Sequence, residues 1–244
     1  MLRERLTDGV KLRIRKVLAK AGIEIGAYAG SFAQHRTRII LGGGVKTVWD
    51  VGAHIGQYAA QLQSHRYVGR IISIEANDVS FEKLAERAGG SARWTTIAVA
   101  IADSVGESVL NVAANGQSSS LLPMAQRHRS ASPSSRYVGS QPVKTTTLDA
   151  LQAQLRPALP FFLKLDLQGS ELAALQGAPS VLGSAVACEI ELSFTELYEG
   201  GASWLTVVNY LVAAGFHICD VERVFFDDAS GDLLQVNALF RRPT

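Results

Sequence analysis

The sequence has two cysteines, Cys188 and Cys219, a scarcity that excludes a disulfide framework and a cysteine-built zinc site. Each lies inside an apolar run, which reads as a buried free thiol in a reducing compartment. No stretch approaches the roughly 18 apolar residues of a membrane span. An apolar signal-peptide segment is missing as well, so the expected location is cytoplasmic. A net excess of one charge is also absent. A formal net charge of +2, with 47% hydrophobic and 19% charged residues, excludes disorder as the main state. Nucleic-acid binding would want a basic body with aromatic or groove-entering elements, and neither is present. What remains is 244 residues of ordinary globular composition. A chain of that length buries roughly three-quarters of its unfolded surface and needs no staple.

The balanced total hides an asymmetry. Residues 1–20 carry Arg3, Arg5, Lys11, Arg13, Arg15, Lys16 and Lys20 against Glu4 and Asp8, a local excess of five that leaves −3 for the rest. Leu6, Val10, Ile14, Val17 and Ala21 recur at helical spacing, so the pattern predicts an amphipathic helix over 5–21 with a basic outer face. Residues 1–44 are read as this helix and a linker packed on the domain. Its basic face is also suited to peripheral contact with an anionic membrane surface.

From residue 45 short apolar runs alternate with helical patterns. Strands are expected at Val45–Val51, Arg70–Ala76, Trp94–Ile101, Phe161–Leu167 and Ala185–Phe194, with helices over 55–65, 78–88, 148–156, 170–177 and 203–214. Strands apolar throughout indicate a parallel sheet covered by helices on both faces. His217–Phe226 and Leu233–Arg241 flank an Asp- and Gly-containing turn and read as an antiparallel hairpin. The expectation is a single α/β domain over 45–244, doubly wound and mostly parallel, ending in that hairpin. The Ser-rich stretch 115–141 breaks the alternation and reads as an insert, with a lid as its functional interpretation.

Val48-Trp49-Asp50-Val51 runs into Gly52-Ala53-His54-Ile55-Gly56-Gln57-Tyr58. Glycines at 52 and 56 allow a tight turn and close approach to a ligand, and a helix begins at the same spot. The spacing departs from the G-x-G-x-x-G that cradles a pyrophosphate. An acid at Asp50 repels a diphosphate and suits a ligand with a positive centre. Glu75, leaving the second strand before Ala76, lies where a carboxylate accepts ribose hydroxyls. Asp103, just past the third strand, is within sequence reach of an adenine amino group. Together these residues indicate S-adenosylmethionine, a nucleoside with a sulfonium and no phosphates.

Those residues, with Ser119-Ser120-Leu121, Thr147-Leu148-Asp149, the block Lys164-Leu165-Asp166-Leu167-Gln168-Gly169-Ser170-Glu171 and the following Leu175-Gln176-Gly177-Ala178, resemble the FkbM-type methyltransferase family over about residues 45–240. The resemblance implies a class I, Rossmann-like methyltransferase that uses S-adenosylmethionine to methylate hydroxyls of macrolides, sugars or glycolipids. The family often has Asn where this chain has His54 and Glu where it has Gln168.

Side chains alternate along a strand, so Lys164 and Asp166 share one face, as do Glu189 and Glu191 on the next expected strand. Buried charges are costly unless paired or near an open end. One interpretation is an ion pair of Lys164 with Glu189 or Asp166 that braces the sheet. The functional interpretation puts Asp166 and Glu191 at the mouth of the site, with Lys164 tuning their charge. Asp166, Glu191 and His128 are the candidate bases for a hydroxyl acceptor, and His128 is expected to be an exposed loop residue. His35, His65 and His217 are read as structural. Glu171 is read as an acid favouring the start of the following helix. Two carboxylates are few for Mg²⁺, which is a weaker option, and no metal site is assigned. A nicotinamide-dependent oxidoreductase and a non-catalytic cofactor-binding module are the alternatives; the identity of the acceptor and the oligomeric state are not legible.

Overall fold

The computed structural model describes residues 31–243. The helix expected over 5–21 lies outside them. The chain enters through α1 (Phe32–Gly42), whose start is fixed by a capping box: Gln34 N donates to Ser31 Oγ, and Ser31 N to Gln34 Oε1. The sequence pattern reads as linker here, and the structure makes it a helix.

The alternation that follows is β1 (Thr47–Val51), α2 (Gln57–Ser64), β2 (Arg70–Glu75), α3 (Asp78–Ala88), β3 (Trp94–Ala98), β4 (Ala100–Ile101), β5 (Gly106–Ala113), α4 (Gln126–Ala131) and β6 (Tyr137–Thr146). After these come α5 (Leu148–Leu155), β7 (Phe161–Leu165), α6 (Glu171–Gln176), α7 (Pro179–Gly183), β8 (Ala185–Ser193), α8 (Trp204–Ala213), β9 (His217–Phe226) and β10 (Leu233–Arg241). Seven strands form one sheet in the order β3-β2-β1-β7-β8-β10-β9. Pairing from β3 through β8 is parallel, and β10 runs antiparallel to both β8 and β9. This is the class I methyltransferase sheet, closed by the expected hairpin.

Both faces of the sheet are covered. Trp49, Val51, Leu163, Leu165, Cys188 and Ile190 pack on one side with residues of α5 to α8. Val48, Ile71, Phe162, Ala187 and Leu239 pack on the other with α1 to α3. Both cysteines are free; Cys188 is buried and Cys219 half-buried. No helix among the described residues is long and apolar enough to cross a membrane.

Two expectations about the middle of the chain need correction. The strand expected over Trp94–Ile101 is split at Val99: β3 joins the main sheet, and β4 joins a second sheet of order β4-β6-β5. The stretch 115–141, read as a structureless insert, holds α4, a 3₁₀ turn at Pro133–Ser135 and the start of β6. Pro142 and Gly139 hid β6 from strand reading. Proline is tolerated where a strand lacks a neighbour on one side, and Pro142 pairs only with Val109 of β5.

Truncating Leu163, fully buried in the central strand β7, tests this core. Leu163→Ala should lower unfolding free energy by about 2–5 kcal/mol in urea denaturation; a loss under about 1 kcal/mol would contradict the packing described.

Candidate functional site

The glycine turn after β1 is built by backbone proximity. Gly52 has φ +71°, and a Cβ there would stand 1.8 Å from the carbonyl oxygen of Asp166. Only glycine fits. Gly52 N and Ala53 N both donate to Ile74 O at 3.0 Å, seating the turn on the end of β2. His54 follows at φ +48°, a left-handed conformation that Asn, Asp and His adopt more readily than most residues. Gly56, also left-handed, is the N-cap of α2, and Gln57 and Tyr58 form its first turn.

Glu75 ties this turn to its neighbour. Its Oε2 accepts from His54 N at 2.7 Å and its Oε1 from Asn77 N at 2.8 Å, so one carboxylate clamps the loops after both β1 and β2. Burial raises its pKa, and the two backbone donors pull it back down. Each oxygen retains acceptor capacity beyond its one backbone donor, and Glu75 lines the cleft.

Asp50 is placed differently from expectation. It is wholly buried and does not line the cleft. Ser73 Oγ donates to its Oδ2 at 2.8 Å, while Oδ1 makes no hydrogen bond and faces Lys164 Nζ at 3.5 Å. Of the two acids read toward the cofactor, only Glu75 lines the cleft, because Asp50 lies beneath the turn as a counter-ion of Lys164. Lys164 Nζ also donates to Gly52 O at 2.8 Å and Val51 O at 3.2 Å, and has Asp166 Oδ2 at 3.6 Å. Burial alone would lower the Lys164 pKa, but Asp166, Asp50, Glu189 and Glu191 outweigh it and hold the ammonium charged.

At the ends of β7 and β8 the two candidate carboxylates are joined by an amide. Gln168 Nε2 donates to Asp166 Oδ1 at 2.7 Å and to Glu191 Oε2 at 2.8 Å. Its Oε1 accepts from Tyr198 OH at 2.5 Å, which fixes which end of the amide faces the acids. Gln235 Nε2 adds a donor to Glu191 Oε2 at 2.9 Å. Burial and the charges of Asp166 and Glu171 raise the Glu191 pKa well above the usual carboxylate range. The amide nitrogen occupies the space between the carboxylates where a bridging ion would sit, so this donor set does not fit Mg²⁺. No group of three or more His, Cys, Asp or Glu suited to a metal occurs among the described residues. The bridging role of Gln168 and its support by Tyr198 arise from contacts between separate segments, which no local sequence pattern records.

Of the two ion pairs weighed for Lys164, the one with Asp166 is present, at 3.6 Å, and the one with Glu189 is not. Arg36 of α1 takes that place, with Nη1 3.1 Å from Glu189 Oε2, and Tyr58 OH donates to the same oxygen at 3.0 Å. The Arg36 guanidinium lies 4.3 Å from the Tyr58 ring centroid and donates to Gln61 Oε1. No sequence signal marked Arg36, which reaches the sheet from a helix 153 residues away in the chain.

These groups line one cleft of about 610 Å³. It gathers Gly52, Ala53, His54, Gln57, Tyr58, Glu75, Ala76, Lys164, Asp166 and Glu191, with Val99, Ala100, Ile101 and Leu121 as an apolar wall. Gly56 stands behind it, against Leu84 and Trp94. Asp103 is exposed in a turn outside the cleft, where its carboxylate accepts from Ser104, so the expected adenine contact is not formed by this residue. His128 is buried in the cleft wall on α4, contrary to the exposed loop position expected for it. His35 is structural, with Nδ1 2.8 Å from Asp220. Glu171 is more than a helix-start acid: it accepts from Leu167 N at 2.8 Å and Gly169 N at 3.1 Å, holding the loop that carries Gln168.

The methyltransferase FkbM domain model matches residues 50–218. No curated protein matches the chain. Among solved structures, TehB from Haemophilus influenzae is 9% identical, with a TM-score of 0.49 over 89% of this chain and 64% of that one. A SAM dependent methyltransferase from Aquifex aeolicus is 14% identical, at 0.38 over 84% and 89%. Aeropyrum pernix fibrillarin, in complex with natively bound S-adenosyl-L-methionine, is 12% identical, at 0.42 over 81% and 66%.

Two outcomes test this geometry. Gly52→Ala should weaken S-adenosylhomocysteine binding at least about tenfold by calorimetry while far-UV circular dichroism stays native, since the Cβ displaces the turn; unchanged affinity would sink the assignment. Burial lifts the Glu171 carboxyl from 4.5 to about 7. Across that window the folded protein holds a proton that the unfolded chain releases, so stability is greatest below the lower value and falls as pH rises through the upper one. Glu171→Gln should remove up to about 3 kcal/mol of that decline. Parallel stability–pH curves for the two proteins would refute this.

Proposed function

The chain belongs to the FkbM methyltransferase domain family, and from that premise we propose that its S-adenosylmethionine-dependent reaction places the methyl group on a hydroxyl of a sugar, glycolipid or related natural product. The observation that carries the hydroxyl assignment is the Asp166–Gln168–Glu191 bridge at the carboxyl ends of two central strands, where open α/β sheets bind ligands.

The residues present fit the cofactor. Glu75 offers two carboxylate oxygens suited to a ribose diol, Val99, Ala100, Ile101 and Leu121 offer an apolar wall suited to a base, and Gly52 to Gln57 offer a backbone turn suited to the amino-acid end. When bound, S-adenosylmethionine supplies an electrophilic methyl on a cationic sulfur. The chain's own task is then alignment, exclusion of water and removal of one proton.

An aliphatic hydroxyl is a poor nucleophile until its proton begins to leave, and a positioned carboxylate serves as the base. Glu191 is the stronger base of the pair, because burial and neighbouring negative charge raise its proton affinity. Gln168 and Gln235 hold it by donating to Oε2, which leaves Oε1 for the acceptor. Asp166 supplies part of the charge that keeps Glu191 basic. Lys164 holds the glycine turn and balances the cluster. The family assignment takes the place of the nicotinamide-dependent alternative.

The experiment is incubation with isotopically labelled methyl donor and a fractionated cell extract, followed by NMR of the labelled product. An ether O–CH₃ is expected. Glu191→Gln should lower kcat by about 10²- to 10⁴-fold, and Asp166→Asn should move the acidic limb of kcat/KM to lower pH by removing a charge that raises Glu191. Label on nitrogen, carbon or sulfur would overturn the hydroxyl reading. Binding of S-adenosylhomocysteine with no transfer to any fraction would favour a non-catalytic module.

A further inference from the structure

The second sheet, β4-β6-β5, so far contributes only part of the apolar wall of the cleft. Its strand β6 alternates: Val143 and Thr145 are buried, while Pro142 and Lys144 are exposed. Gln141 shares the inward face with Val143, where the period of two calls for an apolar residue. The amide at this position meets backbone at both ends. Gln141 Nε2 donates to Ala76 O at 2.9 Å, and Gln141 Oε1 accepts from Asp78 N at 3.3 Å.

One side chain therefore grips the backbone on either side of Asn77, as a neighbouring strand would. Asp78 N is the first N–H of α3, a donor that the helix itself cannot satisfy. Ala76 packs on the same sheet against the cluster of Ala100, Leu110 and Val143. The loop after β2 is docked on the second sheet by apolar contact and by an amide together. The residue between the two grips is the one that matters to the cleft. Asn77 N donates to Glu75 Oε1 at 2.8 Å. The Asn77 side chain caps α3, its Oδ1 accepting from Ser80 N at 3.0 Å, so its hydrogen-bonding capacity is spent on the same loop.

Gln141 does not line the cleft, whereas Glu75 and Ala76 do. Its influence on a bound molecule runs through the loop alone. With Ala76 and Asp78 fixed, the Asn77 N–H has one direction, and that direction sets the Glu75 carboxylate. We infer that Gln141 is a positioning residue for the adenosine half of the cofactor: it fixes the Ala76–Asp78 backbone and, through the Asn77 N–H, aims the Glu75 carboxylate at the ribose. This inference rests on the S-adenosylmethionine reading of the cleft and adds to it a residue from outside the cleft. Loss of Gln141 weakens the hold on the adenosine half and leaves the amino-acid half, at Gly52 to Gln57, as it was.

The test is calorimetry on the full chain with two ligands, S-adenosylhomocysteine and 5′-methylthioadenosine, the second of which lacks the amino-acid end. Gln141→Met keeps the length of the side chain and removes both hydrogen bonds. It should bind each ligand about tenfold more weakly, by factors that agree within about threefold, with native circular dichroism. Gln141→Ala, which cannot crowd the sheet, should give the same pattern. Gly52→Ala, at the other end of the cleft, should lose far more affinity for S-adenosylhomocysteine than for 5′-methylthioadenosine. A merely structural role for Gln141 would loosen the amino-acid end as well and cut S-adenosylhomocysteine binding further than that of the shorter ligand. That unequal loss, unchanged affinity in both Gln141 variants, or wild-type binding of S-adenosylhomocysteine with none of 5′-methylthioadenosine at millimolar concentration would each overturn the assignment. Failure of the wild-type chain to bind S-adenosylhomocysteine would instead remove the cofactor reading, and the positioning role with it.

Discussion

A buried ammonium organises this end of the sheet. Lys164 sits in β7, in register with Asp50 of β1 on one side and Glu189 of β8 on the other. Its Nζ reaches Asp50, Asp166 and the carbonyls of Val51 and Gly52, so one charge joins a neighbouring strand, the glycine turn and the acid cluster. A buried charge without partners costs several kcal/mol, and removing one partner of such a pair is strongly destabilising. The glycine turn after β1 is therefore held from below by electrostatics as well as from the side by Ile74 O.

The cleft divides its labour along its length. On the β2 side a carboxylate already engaged by two backbone donors, Glu75, presents its remaining acceptor capacity. On the β8 side Glu191 is held by amide donors yet remains hard to ionise, since burial and two neighbouring carboxylates outweigh Lys164 and Gln235. Burial raises both carboxyls; backbone donors lower Glu75 in part, while neighbouring carboxylates raise Glu191 further. The difference lies in surroundings and not in residue type.

Much of this was legible in the sequence for specific physical reasons. The period of two along a strand placed Lys164 with Asp166 and Glu189 with Glu191 on common faces; Lys164 Nζ does lie 3.6 Å from Asp166 Oδ2, whereas Glu189 meets Arg36 and Glu191 meets Gln168. The spacing of Gly52 and Gly56 marked a turn that only small residues can make. Asp50 misled because a strand-end acid reads as exposed, whereas the turn folds back over it and Lys164 covers it. Arg36, Gln235 and the β5–β6 pairing were invisible because their partners come from remote segments, and nothing local in the chain records such a contact. His128 looked mobile in a serine-rich stretch; Tyr198 and Phe225, each far along the chain, are what bury it.

The central claim is that one cleft, held by Lys164 and clamped by Glu75, receives S-adenosylmethionine with its reactive end toward the Asp166–Gln168–Glu191 bridge. Co-crystallisation with S-adenosylhomocysteine tests it most directly. The account predicts ribose hydroxyls on the Glu75 carboxylate and the sulfur on the side of Asp166 and Glu191. A ligand bound elsewhere, or bound here with its ribose away from Glu75, would contradict it.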